Sequence, residues 1–193
     1  MIIASEDGLI GAILRRVLVD LNYDMDSVIA ICAGGRSKLQ AKIPALIRSA
    51  SGGLPVIVCT DLDSTPCIVN MKNEWFPQGV PKNIVFSVAT READAWILAD
   101  PGISKYLASS AAAPLDPESV QDPKANLIEI AKRSRKRDIK EEMVVAKNAV
   151  ARVGPGYNIV LANFVEFDWD IEVASQKCKG LRRLLQRVSA LVA

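Results

Sequence analysis

The chain contains no histidine, so any chemistry it carries falls to other side chains, and a group of carboxylates is the first candidate. The apolar run Val56-Ile57-Val58-Cys59-Thr60 leads directly into Asp61-Leu62-Asp63. Two carboxylates this close repel each other, and the first is costly to bury, unless a positive charge lies between them. In extended backbone an Asp-x-Asp pair turns both side chains to one side, where they can share a divalent ion. Glu6, which follows the apolar Met1-Ile2-Ile3-Ala4, is a third candidate ligand. The lack of histidine excludes the usual zinc site, the Ser-His-Asp triad and the Cys-His pair. Oxygen donors select a hard cation instead, Mg²⁺ or Mn²⁺. The competing reading is local: Asp61 and Asp63 cap the turn-like Asp63-Ser64-Thr65-Pro66, and Glu6 with Asp7 favours the start of a helix.

Three further groups could touch a phosphate or its charge. Gly34-Gly35-Arg36 follows a strand-like run, where backbone amides and a guanidinium could hold a phosphate, although a simple glycine turn fits equally. Glu92 and Asp94 open a helix, where the dipole favours acids in any case. Their functional reading is a carboxylate for a second metal or for positioning water, and Glu92 is a candidate proton acceptor. Lys132-Arg133-Ser134-Arg135-Lys136-Arg137 and the set Lys179, Arg182, Arg183 and Arg187 are basic patches that either contact a nucleic-acid backbone or form solvated faces.

These residues need a frame, and the hydrophobic pattern supplies one. Short apolar runs alternate with amphipathic stretches, the pattern of a mostly parallel sheet flanked by helices. Strands are predicted over 1–5, 28–33, 54–60 and 83–89. Between them lie a helix with Leu9, Ile10, Ile13, Leu14, Val17, Leu18 and Leu21 on one face and another over 37–50. Thr90 is the predicted N-cap of a helix running to Leu98, with Trp96 as a core anchor. In an open parallel sheet, ligands bind beyond the carboxyl ends of the strands, which is where Glu6, Gly34-Gly35-Arg36 and Asp61-Leu62-Asp63 fall. Residues 109–123 read as a loop, 124–153 as one long helix or two short ones, 158–167 as an extra strand or extended segment, and 181–192 as a terminal helix. The expected division is an α/β core over 1–108 with about four parallel strands, and a mainly helical extension over 109–193 packed on it as one structural domain.

Composition bounds the remaining questions. A chain of 193 residues, half of them hydrophobic, can bury one sizeable core. The net charge of +2 is too small to specify an anionic partner through the whole-molecule field, so local patches carry that argument. No apolar run reaches membrane-spanning length and no basic leader precedes Ile2-Ile3, so a cytoplasmic protein without a membrane partner is expected. Cys32, Cys59, Cys67 and Cys178 lack Cys-x-x-Cys spacing and are expected to be reduced.

The order strand-Glu-x-Gly-helix, strand-Gly-helix, strand-Asp-x-Asp resembles the Toprim domain shared by topoisomerases, primases, small nucleases and overcoming-lysogenization-defect (OLD) nucleases. Glu6 matches the motif's glutamate, with Asp7 inserted before Gly8, and Asp61 and Asp63 match its aspartate pair. Arg91-Glu92-Ala93-Asp94-Ala95-Trp96-Ile97-Leu98-Ala99-Asp100 is similar to the Arg-Glu-x-Glu/Asp-x-Trp-x-Leu-Ala-Asp motif of a bacterial family of Toprim-like proteins, often encoded beside ATPases. The likeness extends through Asp122-Pro123-Lys124 to the Leu181 helix. It implies a Rossmann-like core, Mg²⁺ or Mn²⁺ on Glu6, Asp61 and Asp63, and phosphodiester chemistry of the nuclease type on DNA or RNA. It also implies a partner ATPase and a phage-defence setting. The alternative is a noncatalytic regulatory or scaffolding subunit that binds an ATPase, a nucleotide or nucleic acid. A homodimer fits either reading.

Overall fold

The computed structural model of the chain describes residues 1–63, 65, 67–146 and 150–193. The expected turn at 63–66 therefore lies partly outside the described residues, as does the 147–149 part of the helix expected over 124–153. Packing divides the chain into two compact units, Met1–Arg91 with Gly180–Ala193, and Glu92–Lys179.

The first unit contains β1 (Ile2–Ser5), α1 (Gly8–Asp20), β2 (Ile29–Cys32), α2 (Arg36–Ser51), β3 (Val56–Asp61), α3 (Ile68–Trp75) and β4 (Ile84–Ala89). The strands are wholly parallel in the order β2-β1-β3-β4, with Ile2 opposite both Ile29 and Val56, and Val56 opposite Ile84. Parallel neighbours cannot be joined by hairpins, so each connection carries a helix. The chain steps from β1 outward to β2, then crosses back to place β3 on the other side of β1. Right-handed crossovers in opposite directions put their helices on opposite faces. Leu39, Ile43 and Leu46 of α2 accordingly share one core cluster with Met71 and Trp75 of α3 and with Ile2, Ala4, Val56, Val58, Ile84 and Phe86 of the sheet.

Burial explains the apolar runs. Every residue of β1, β3 and β4 is buried, and α1 buries Leu9, Ile10, Ile13, Leu14, Val17 and Leu18 on one stripe. Each such side chain contributes roughly 1.5–3 kcal/mol. Asp7 starts α1 by accepting a hydrogen bond from Ile10 N at 2.9 Å, so the capping role expected of the Glu6-Asp7 pair belongs to Asp7. Helix α3, over a segment for which the hydrophobic pattern predicts no element, is short and carries Met71 and Trp75 as its buried residues.

Among its described residues the second unit is mainly helical: α4 (Asp94–Leu98), α5 (Gly102–Tyr106), α6 (Pro123–Lys132), α7 (Arg137–Met143), α8 (Tyr157–Phe167) and α9 (Ile171–Lys177), with a 3-10 turn at Pro117–Ser119 and a lone antiparallel bridge between Ser109 and Ser134. The extended segment expected over 158–167 is a helix. Its Ile, Val and Phe content suits a strand, but Tyr157, Val160, Leu161, Phe164 and Val165 are buried at helical spacing, and burial of that stripe decides the outcome. Thr90 does not cap a helix: Arg91 lies in the left-handed region at φ +62°, and α4 begins at Asp94. Trp96 is fully buried. Helices α4 and α5 group with α6 to α9, so the composition shift at Ser109 falls inside the second unit.

The last helix, α10 (Lys179–Val192), returns the chain to the first unit. It buries Leu181, Leu184 and Val188. Arg187 Nη1 donates to the carbonyl of Phe86 in β4 at 2.6 Å. The architecture is thus α/β, a four-stranded parallel sheet flanked by helices, followed by a mainly helical portion. Among the described residues no helix is long and apolar enough to cross a membrane.

Candidate functional site

The reversal of strand order between β1 and β3 creates a crevice at their carboxyl ends, the general location of ligand sites in open α/β sheets. Glu6 follows β1 and Asp61 is the last residue of β3, so both carboxylates belong to the two strands that flank the reversal. Glu6 Oε2 accepts a hydrogen bond from Thr60 Oγ1 at 2.5 Å and one from Asp61 N at 3.4 Å. Its side chain is therefore fixed against the end of the neighbouring strand. Asp61 is 7% exposed, an unusual place for a carboxylate unless its charge is used or balanced. Acidity concentrates here: the buried Cys59 thiol is pushed far above its ordinary range by burial and then by Asp61, against the lowering effect of a Ser87 hydrogen bond, with Asp7 and Glu6 adding to the rise. Such a thiol is inert.

Asp63 lies differently from expectation. Strand geometry stops at Asp61, and Asp63 adopts φ +46°, so the alternation argument for a paired Asp-x-Asp does not reach it. Its Oδ2 receives Arg36 Nη2 at 2.5 Å. Arg36 also donates to the Asp61 carbonyl at 3.1 Å and to Thr65 Oγ1 at 2.9 Å. Gly34 and Gly35, at φ +72° and +128°, make the left-handed turn that only glycine adopts without strain. Gly35 N donates to the Glu6 carbonyl at 2.8 Å, which ties the end of β2 to the end of β1. Glu6, Gly34, Gly35, Arg36, Asp61 and Asp63 thus come together around one sheet end, as the sequence suggested.

Among the described residues no three acidic or cysteine side chains are arranged to hold a metal ion. The donor set nevertheless suits a hard cation. Mg²⁺ commonly takes one or two carboxylates and completes its shell with waters and substrate phosphate oxygens. Glu6 and Asp61 would supply that pair, and Asp63 would join them only by exchanging Arg36 for the ion.

Glu92 belongs to the second unit, where a separate charge cluster forms. Lys124 Nζ lies 3.4 Å from Glu92 Oε1 and 3.9 Å from Asp94 Oδ2, and Lys124 N approaches Glu92 Oε2 at 3.4 Å. The Tyr157 hydroxyl donates to Asp94 Oδ1. Lys124 was not among the residues expected at a site, yet the sequence carries a signal for it. Asp122 caps α6 and Pro123 opens it, so Lys124 sits in the first helical turn, where the dipole disfavours a cation and a nearby acidic partner offsets that cost.

Burial, then the charge and hydrogen bond of Asp94, hold the Tyr157 phenol well above its ordinary pKa of 10.0. Burial, then Glu118 and Asp116, push the Cys178 thiol up to about 12. Both groups keep their protons in the native state at a pH where the unfolded chain releases them, so stability is full below their unfolded values and falls as pH rises. Melting temperatures measured from pH 9 upward should decline. Tyr157→Phe should start lower at neutral pH through its lost hydrogen bond and decline less steeply above pH 10. Parallel curves for the variant and the wild type would dismiss this assignment.

The basic patches are partly occupied by intramolecular contacts. Lys132 pairs with Glu129 at 2.5 Å and Arg137 with Glu141 at 2.7 Å, while Arg187 is bound to β4.

No protein-family model matches the sequence, and no curated protein matches it. Among solved structures the chain is similar to the C-terminal region of the Burkholderia pseudomallei OLD protein. The two share 15% identity with a TM-score of 0.53, over 100% of this chain and 98% of that one. At that identity the likeness is one of fold. An α/β protein with carboxylates gathered at its strand-order reversal is the class that fold and site define.

Proposed function

We propose that the protein is a Mg²⁺- or Mn²⁺-dependent, Toprim-like phosphodiester-cleaving enzyme, a nuclease acting on DNA or RNA. The observation that carries this reading is that Glu6, held by the Thr60 hydroxyl and the Asp61 backbone amide, and the buried Asp61 both stand at strand ends at the strand-order reversal, within a fold similar to the OLD C-terminal region. Glu6 and Asp61 would hold the ion, which supplies charge neutralisation at the phosphate and activation of water. Arg36, once freed from Asp63, would orient a phosphate by a forked pair of hydrogen bonds, with the left-handed Gly34-Gly35 turn leaving the approach free of side chains. Engagement of Arg36 by a phosphate would release Asp63 from its ion pair toward the ion. In the cell the reading extends to phage defence beside a partner ATPase.

A second reading rests on the Arg36–Asp63 pair itself. If that contact persists when nucleic acid is present, the sheet end remains closed, and the protein serves as a noncatalytic subunit that binds an ATPase, a nucleotide or nucleic acid. The two readings separate by incubating the purified chain with labelled single- and double-stranded DNA and RNA in Mg²⁺, in Mn²⁺ and in a chelator. Ion-dependent cleavage supports the enzyme, and intact substrates throughout favour the binding subunit.

A further inference from the structure

The two edges of the sheet are finished differently. At the β4 edge every strand residue is buried, and Arg187 occupies the Phe86 carbonyl. At the β2 edge Ile29 is 58% exposed, and Ala30 and Cys32 are exposed as well. The strand Ile29-Ala30-Ile31-Cys32 carries no charge and no proline, and these are the usual devices that keep an open edge from pairing. Its hydrogen-bonding phase is known. Ile29 N donates to the Met1 carbonyl and Ala33 N to the Ser5 carbonyl, both at 2.9 Å. Alternate residues therefore face β1, and the backbone groups of Ala30 and Cys32 point outward.

We infer that β2 is the contact between two copies of this chain, paired antiparallel about a two-fold axis so that two four-stranded sheets become one. In the register that sets Ala30 opposite the partner's Cys32, the outward groups bond to each other and Ile31 meets the partner's Ile31. Charge chooses this occupant. Asp24 and Asp26 precede β2, and Lys38 follows it. Antiparallel pairing brings the acidic end of each copy to the basic end of the other, and the symmetry makes that match twice. Asp24, Asp26 and Lys38 are exposed, and none of them forms a salt bridge among the described residues. The inference does not depend on the proposed activity.

Sedimentation equilibrium of the 193-residue chain at about 100 µM, a concentration that reveals weak pairs, should give a dimer that dissociates on dilution. Ile29→Lys should give a monomer with unchanged circular dichroism, because Ile29 is mostly exposed. Lys38→Glu should weaken association about tenfold, the effect of one favourable charge contact. Adding Asp24→Lys to it should restore most of the loss, with circular dichroism again confirming the fold. A monomeric wild type at about 100 µM would overturn the inference and leave this edge for a strand of another protein. A dimer that survives Ile29→Lys would overturn it equally.

Discussion

Asp61→Asn is expected to lower ion-dependent cleavage of nucleic acid by about 10³-fold, the scale seen when one preorganised charge contact is lost from a site. The substitution keeps the shape of the side chain and most of its hydrogen-bonding capacity, while removing the charge a hard cation requires. Asp61 closes a fully buried strand, so alanine would mix a packing loss with the chemical one, and asparagine separates them. Glu6→Gln should have a comparable effect, because Glu6 is held by Thr60 and by the Asp61 amide and its amide analogue retains one acceptor. Asp63→Asn should cost less, since this side chain, paired with Arg36, would reach an ion only after leaving that pair. Cleavage rates and melting temperatures belong together in this test. A lost rate with an unchanged melt assigns the two carboxylates to the reaction, and persistent cleavage in both Asp61→Asn and Glu6→Gln rejects the site.

Lys124→Met should destabilise the native state by about 2 kcal/mol. Removing one partner of a buried ion pair costs roughly 3–5 kcal/mol, and the figure is reduced here because the Lys124 side chain is 26% exposed. The substitution leaves the Asp94 side chain, 3% exposed, and the largely covered Glu92 facing each other without their shared cation. For a chain of this size the melting temperature should fall by about 5 °C. Adding Asp94→Asn to Lys124→Met should recover part of the loss, because the buried charge then disappears along with its counter-ion. A double-mutant cycle measures that recovery as a coupling energy. If Lys124→Met melts with the wild type, the cluster does not hold the second unit together.

Much of this was legible in the sequence where one local signal determines one outcome. Val56-Ile57-Val58-Cys59 is short, rich in β-branched residues and lies between Pro55 and Asp61, which together favour a buried strand, and the α1 stripe from Leu9 to Leu18 has an unambiguous helical period. Parallel strands then force the ends after residues 5, 32 and 61 to one side, which is why Glu6, Gly34-Gly35-Arg36 and Asp61-Leu62-Asp63 assemble as expected. What local signals did not carry was the effect of packing and of distant partners. Residues 158–167 have the composition of a strand and the spacing of a helix, and burial of Tyr157 and Phe164 selects the second. The extended geometry expected of Asp63 fails because the chain leaves the strand at Asp61 and Arg36, 27 residues earlier in sequence, takes its carboxylate. The Lys124–Glu92 pair spans 32 residues, and the sequence hinted at it through the unfavourable position of Lys124 in its helix and through the likeness that reaches Asp122-Pro123-Lys124.

One connection in the chain has a consequence for assembly. The polypeptide leaves its first unit after Arg91 and comes back at Gly180, so the guanidinium that occupies the outer margin of β4 arrives last. A protein cut at residue 179 would retain all of its strands yet lose Arg187, freeing the Phe86 carbonyl. With the Phe86 carbonyl free, that margin would also become open to pairing, and addition at both margins would permit open-ended growth in place of the closed pairs proposed for β2.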